Sequence, residues 1–313
     1  MPSYSGVWTL SQQFQAVGQG LWPVTDGTLA IFALGNTGSA STTRDKYTYS
    51  GCVVAAGTAA TTASQQNSAT GSSTVGIFAL GLLVSGLRSV TRDKYTYSGC
   101  AVSAGGAATI ASSRGSAAGN STVGVFALGL NSGGSPVTTR DKYTYSGCTV
   151  AAGGAATIAS SRSSAAGNST VGIFALGNTG SASTTRDKYT YSGCTVAAGG
   201  AATTASFAGS AAGNSTIGIF ALGITTVRVT TRDKYTYSGC VVSAGGAATV
   251  ASSCGSAAGN STVGIFALGF ACAASSARNK YTYAGDVVAA GGAATAASYY
   301  GSAASNGTSG VNI

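Results

Sequence analysis

The chain has 313 residues, of which 7% are charged and 48 are glycine; its net charge is +9 and it contains no histidine. The missing histidine excludes His-based catalytic triads, most zinc and copper sites and the usual general base at neutral pH. Abundant Gly, Ser and Thr around regularly spaced aromatic and β-branched residues favour short strands joined by tight turns, and give each segment enough apolar surface to argue against disorder.

Residues 1–27 stand apart from the rest of the chain and carry both tryptophans, Trp8 and Trp22. Leu10, Phe14 and Val17 fall at i, i+4 and i+7, which predicts a short one-sided helix stopped by Gly18 and Gly20. Such a helix needs a surface to lie on, either the rest of its own chain or a partner. The phrase Gly-Val-Trp-Thr-Leu-Ser-Gln-Gln-Phe-Gln-Ala-Val, followed by Leu-Trp-Pro, resembles the openings of Gly-rich structural proteins of bacteriophage virions, which implies an anchor built on Trp8, Leu10, Phe14, Val17 and Trp22. Met1 is not followed by the basic and apolar run of a secretory leader, and no apolar stretch is long enough to span a bilayer, so neither secretion by that route nor membrane insertion is expected.

From residue 28 to residue 313 the chain repeats. The phrase Tyr-Thr-Tyr starts at Tyr47, Tyr95, Tyr143, Tyr189, Tyr235 and Tyr281, at intervals of 48, 48, 46, 46 and 46 residues. A second phrase, Ile-Phe-Ala-Leu-Gly, keeps step and ends at Gly35, Gly81, Gly129, Gly177, Gly223 and Gly269, with Val125 replacing Ile in one copy. In the fourth copy the predicted strands are Ser164-Ala-Ala166, Thr170 to Leu176, Asp187 to Tyr191 and Cys194 to Ala198, with Gly167-Asn-Ser169 turning the first pair. Four short strands per unit of this length are the signature of a propeller blade. Six units predict an all-β, six-bladed propeller. The chain begins in a second strand, Thr28 to Leu34, and ends in a first strand, Tyr299 to Ala304, so joining the two completes a blade. The tail from Thr308 to Ile313 could then pair with an open edge.

The layout resembles the Kelch-repeat propellers. The shared features are an apolar strand ending in Gly177, a variable loop, a strand bearing Tyr189 and Tyr191, and an arginine before the first strand at Arg114 and Arg162. The resemblance implies a binding scaffold. Kelch repeats usually carry a double glycine and a tryptophan where this chain has one glycine and no aromatic, and their copper-oxidase members need histidines it lacks. A divergent microbial or viral version without cofactor or metal is therefore expected.

Within the repeat, alternation puts Tyr47 and Tyr49 on one strand face, which predicts ring-to-ring packing between neighbouring blades rather than base-stacking platforms. The Arg-Asp-Lys triplets that precede these tyrosines supply twelve of the sixteen basic residues, and are expected as exposed ion pairs rimming one face. Cys52, Cys100, Cys148, Cys194 and Cys240 share one repeat position, which Asp286 takes in the sixth copy, and a small buried thiol is expected there rather than a disulfide or metal role. The Asn-x-Ser/Thr sequences at Asn120, Asn168, Asn214, Asn260 and Asn306 are expected as turns.

Strand direction places the loops between second and third strands on the same face as the connections between blades. These two places hold most of the differences among copies. They carry Arg88, Arg114, Arg162 and Arg228, together with Phe207, Phe270, Tyr299 and Tyr300. Variation on a fixed scaffold, built from side chains that dominate recognition hot spots, predicts a binding face for an acidic or carbohydrate partner. The reading is a non-enzymatic component of a phage-like virion, a capsid or tail decoration or fibre, that meets other virion proteins or a host surface polysaccharide. The alternative is a free lectin-like or Kelch-type adaptor, in the bacterial cytoplasm or outside the cell. A nucleic-acid partner is not expected, since the positive charge comes with no groove motif.

Overall fold

The computed structural model describes residues 28–307. The predicted anchor, with Trp8, Leu10, Phe14, Val17 and Trp22, and the predicted edge pairing of the last six residues lie outside them. Each repeat forms one antiparallel sheet of four strands in sequence order. In the fourth blade these are Ser164–Gly167, Val171–Ala175, Arg186–Thr190 and Thr195–Ala198. The Gly-Ile-Phe-Ala run becomes the second strand because its residues are buried on both faces, packed between two blades.

The first strands, Ser68–Gly71, Ser116–Gly119, Ser164–Gly167, Ser210–Gly213, Ser256–Gly259 and Ser302–Ser305, contact one another in a closed circle around a central axis. Closure is as the sequence predicts. Ser302–Ser305, at the end of the described chain, pairs antiparallel with Leu29–Ala33 at its start, with Ile31 opposite Ala304. Asn306 seals the junction, accepting from the Leu29 amide at 2.9 Å while its own amide donates to the Leu29 carbonyl. No second strand is therefore left without its inner partner.

The Asn-Ser/Thr sequences are turns. Asn168 Oδ1 accepts from the amides of Thr170 and Val171, both at 2.9 Å, and its Nδ2 donates to the Ser215 carbonyl of the next blade. Asn120 and Asn214 likewise shape their own hairpins and tie them to the next blade.

The Arg-Asp-Lys triplets depart from expectation. They are not an exposed rim: Arg44 and Asp45 are 1% and 0% exposed, and the other copies are equally buried. Five of the six arginines reach the aspartate of the following blade, in the pairs Arg44–Asp93, Arg92–Asp141, Arg140–Asp187, Arg186–Asp233 and Arg278–Asp45, at 2.7 to 2.8 Å. Each guanidinium also lies over the following blade's phenylalanine, Arg92 over Phe126 at 4.5 Å for example. The aspartate is held further by the crossover chain, as where Thr61 donates its amide and hydroxyl to Asp93. The reason is the twist of the stack: one repeat of chain advance brings the start of a third strand over its neighbour's, where water is excluded. The fifth-to-sixth interface alone lacks the carboxylate, and Arg232 meets Asn279 instead at 3.1 Å. Burial without a counter-charge lowers Arg232 to about 10.

The tyrosines do lie between blades, but their ring contacts are internal to a blade. Tyr189 meets Tyr191 and Phe174 of its own sheet, with centroids 6.0 and 6.3 Å apart. Across the interface they pack on small aliphatics, Ala118, Val123 and Val125 in that instance. The shared cysteine position is also corrected. These thiols are free and half-buried, and each closes the hairpin between third and fourth strands in the left-handed region, with φ from 50° to 54°. Asp286 adopts the same conformation and accepts from Tyr281 and Lys234 at 2.7 and 2.9 Å.

Candidate functional site

The two variable sets of segments do share one face, and there they are woven together. Each loop between second and third strands bridges to the chain leading into its own blade on one side and into the next blade on the other. Asn36 pairs with Tyr299 and Ser41 with Ser64, and corresponding bridges run on through Ser89 with Ser112, Val137 with Ser160, Ser183 with Ser206 and Val229 with Ser252, to Ser275 with Ser298. The last of these closes the circle. The face is thus a continuous layer rather than a set of independent loops.

At its centre is a smaller ring. The residue just before each first strand's leading segment donates its amide to the equivalent carbonyl one blade back: Arg114 to Gln66, Arg162 to Arg114, Ala208 to Arg162, Cys254 to Ala208, Tyr300 to Cys254, and Gln66 to Tyr300, all between 2.8 and 3.0 Å. All six are non-glycine residues in the left-handed region, with φ between 52° and 58°. That conformation costs about 1–2 kcal/mol per residue, and the closed hydrogen-bond ring offsets it. The glycine ending the Ile-Phe-Ala-Leu-Gly phrase explains how the ring is held: a Cβ on Gly177 would stand 2.4 Å from the Arg162 carbonyl oxygen. The invariant part of the repeat therefore sets the backbone of its most variable position.

These six residues, with glycines behind them, surround a cavity of about 60 Å³ at the mouth of the axis. A second cavity of about 60 Å³ continues from the same glycines along the axis and is lined by serine and alanine. Arg114 and Arg162 stand side by side at the mouth. Arg114 Nε donates to Gln66 Oε1 at 3.0 Å, and Arg162 lies 5.5 Å from the ring of Phe207. Burial first, then the like charges of Arg162 and Arg88, lower Arg114 from the ordinary arginine value. Tyr300 is raised by burial and by the neighbouring Cys254, so it stays neutral. Arg88 sits one step outward, donating to Ser113 Oγ at 3.1 Å and the Ser132 carbonyl at 3.2 Å.

The other half of the face is aromatic. Arg228 donates to Ser253 Oγ and lies 4.6 Å from the ring of Phe270, which meets Tyr299 edge-on at 5.3 Å; Tyr299 in turn meets Tyr300 at 4.9 Å. All eight residues singled out by sequence are therefore on this face, in a cationic arc of Arg88, Arg114 and Arg162 and an aromatic arc of Phe270, Tyr299 and Tyr300. Phe207 and Arg228 link the two arcs.

Two things escape the sequence reading. Phe207 and Tyr299 are not the counterparts of Arg114 and Arg162; Ala208 and Tyr300 are, one residue later, and Gln66 and Cys254 complete the set. The usable signal is that this position reads Gln, Arg, Arg, Ala, Cys, Tyr across six copies, more varied than any strand position. The second is charge. Five of the seven acidic residues are consumed between blades, Asp286 is engaged by Lys234, and Asp26 lies outside the described residues. Among the described residues, no carboxylate is left to pair with Arg88, Arg114, Arg162 or Arg228.

No protein-family model matches the chain, and no curated protein matches it. Geometry alone therefore defines the class: a closed six-bladed β-propeller of four-stranded blades, with the segments that vary most among the copies woven together on one face. The architecture is consistent with a Kelch-like propeller. Among the described residues there is no cluster of three or more metal-ligating His, Cys, Asp or Glu side chains, and no helix is long and apolar enough to cross a membrane.

Proposed function

We propose that the chain is a non-enzymatic, Kelch-like structural and binding protein of a phage-like virion, held by its first 27 residues and turning its variable face to an acidic glycan of a host surface. The observation that carries the binding part is the charge partition: four arginines share one face, and every carboxylate of the described residues is occupied elsewhere. Arginine offers paired donors to carboxylates and sulfates, and Phe270, Tyr299 and Tyr300 offer apolar faces of the kind that pack on sugar rings. The woven layer under them supplies rigidity, so little order has to be gained on binding. The virion part rests on the resemblance of the opening residues.

Two experiments test the parts separately. On a glycan array, polyuronic or sulfated glycans are expected to be retained and neutral ones not; equal retention of both would contradict the acidic-ligand reading. Native protein is expected to co-fractionate with particles, and a chain lacking residues 1–25 to remain folded but particle-free. Particle association without those residues would sink the anchor; native protein found free of particles would leave a free lectin-like adaptor as the better reading.

A further inference from the structure

The mouth of the axis narrows what the face recognises. Resting on the acidic-glycan reading, we infer that this mouth is a socket for one oxyanion group, a carboxylate or a sulfate ester, projecting from the saccharide, while the sugar itself stays outside on the aromatic arc. Three observations combine. The cavity of about 60 Å³ is under half the roughly 150 Å³ of a cavity that takes up a benzene ring, so it has room for a compact oxyanion and not for a pyranose ring. Behind it, a serine- and alanine-lined passage no larger prevents a chain from threading further. Its wall includes Arg114 and Arg162, which no carboxylate of the described residues pairs, and burial first, then the like charges of Arg162 and Arg88, weigh against the charged form of Arg114, a cost that an entering anion reduces.

The side chains are already oriented for this. Arg114 is fixed through Nε by Gln66, which leaves its terminal nitrogens to donate, and Arg162 is steadied against Phe207. Tyr300, kept neutral, lines the same cavity. Backbone amides and carbonyls of all six mouth residues are spent on the ring, so specificity there belongs to side chains alone. Arg88 and Arg228 lie outside the socket and would steer and hold the polymer rather than receive the group.

The test uses the full chain with three probes, polygalacturonate, dextran sulfate and neutral dextran, followed by titration calorimetry. Polygalacturonate binding with dextran sulfate silent would identify a carboxylate socket, and the reverse a sulfate socket. Replacing both Arg114→Gln and Arg162→Gln is expected to weaken the bound probe by at least about tenfold, the loss of two charge-assisted contacts. Ala208→Glu keeps both arginines and puts a carboxylate into the mouth, and is expected to do the same. Arg88→Gln with Arg228→Gln is expected to cost under about threefold, as rim charges do. If the first two variants bind like the unmodified chain while the last does not, the socket is overturned and the acidic face stands. If no charged probe binds more tightly than neutral dextran, the face reading itself falls.

Discussion

Ten arginines serve two regions of this molecule in opposite ways. Those at the starts of third strands are buried between blades, five of them against an aspartate of the next blade. The four on the variable face have no carboxylate and are held by serine hydroxyls, glutamine or aromatic rings. The difference teaches that repeat position, not residue type, decides the role. A residue present in every copy at one place is fixing neighbouring blades; the same residue present in one or two copies takes no part in that, and on the proposed function it faces a partner.

Attacking all interfaces at once should break the first region most severely. Burial, then the neighbouring Cys100 or Cys240, raises Tyr95 and Tyr235 to about 12, and the other phenols of the repeat are raised as well. Because the folded values exceed the unfolded value near 10, this stability is complete below pH 10 and is lost as pH climbs from 10 through 12. Cooperative unfolding in that window, with tyrosinate absorbance rising in the same transition, is expected. Tyrosinate appearing near pH 10 without loss of circular dichroism would mean the rings are exposed. A single interface is next: Asp93→Ala leaves Arg44 buried and unpaired and should cost about 3–5 kcal/mol by denaturant melt.

A gain should appear at the exceptional interface. Asn279→Asp gives Arg232 the carboxylate the other five arginines have and should add about 1–3 kcal/mol. That gain depends on pH. Arg232, lowered to about 10, charges at a cost below that value, so the advantage of the variant is largest at neutral pH and shrinks as pH passes 10. On the face, Arg114→Gln with Arg162→Gln should change stability by no more than about 0.5 kcal/mol per site.

Much of the scaffold was legible in the sequence because period and alternation are local. Spacing between Tyr47 and Tyr281 counts the blades, and the split first strand at Tyr299 to Ala304 announces closure. The fate of Arg44 and Asp93 was not legible locally, because both are polar and their burial depends on a neighbour 49 residues away. A clue existed: Phe78 and Asp93 recur in step with Arg44. The site was legible as a face but not as a ring. Nothing in the sequence signals that Gln66, Arg114, Arg162, Ala208, Cys254 and Tyr300 adopt a left-handed conformation, since none is glycine. Only the closed hydrogen-bond ring makes that conformation worthwhile, and it forms only once all six blades are in place.

The separation of the two regions is tested most directly by measuring melting temperature and acidic-polymer affinity on the same preparations of two variants. Asp93→Ala, assayed where it remains folded, should melt earlier and bind as before. The Arg114→Gln, Arg162→Gln double variant should melt as before and bind at least about tenfold more weakly. Loss of affinity in the first with none in the second would contradict the division between interfaces that hold the propeller and a face that recognises its partner.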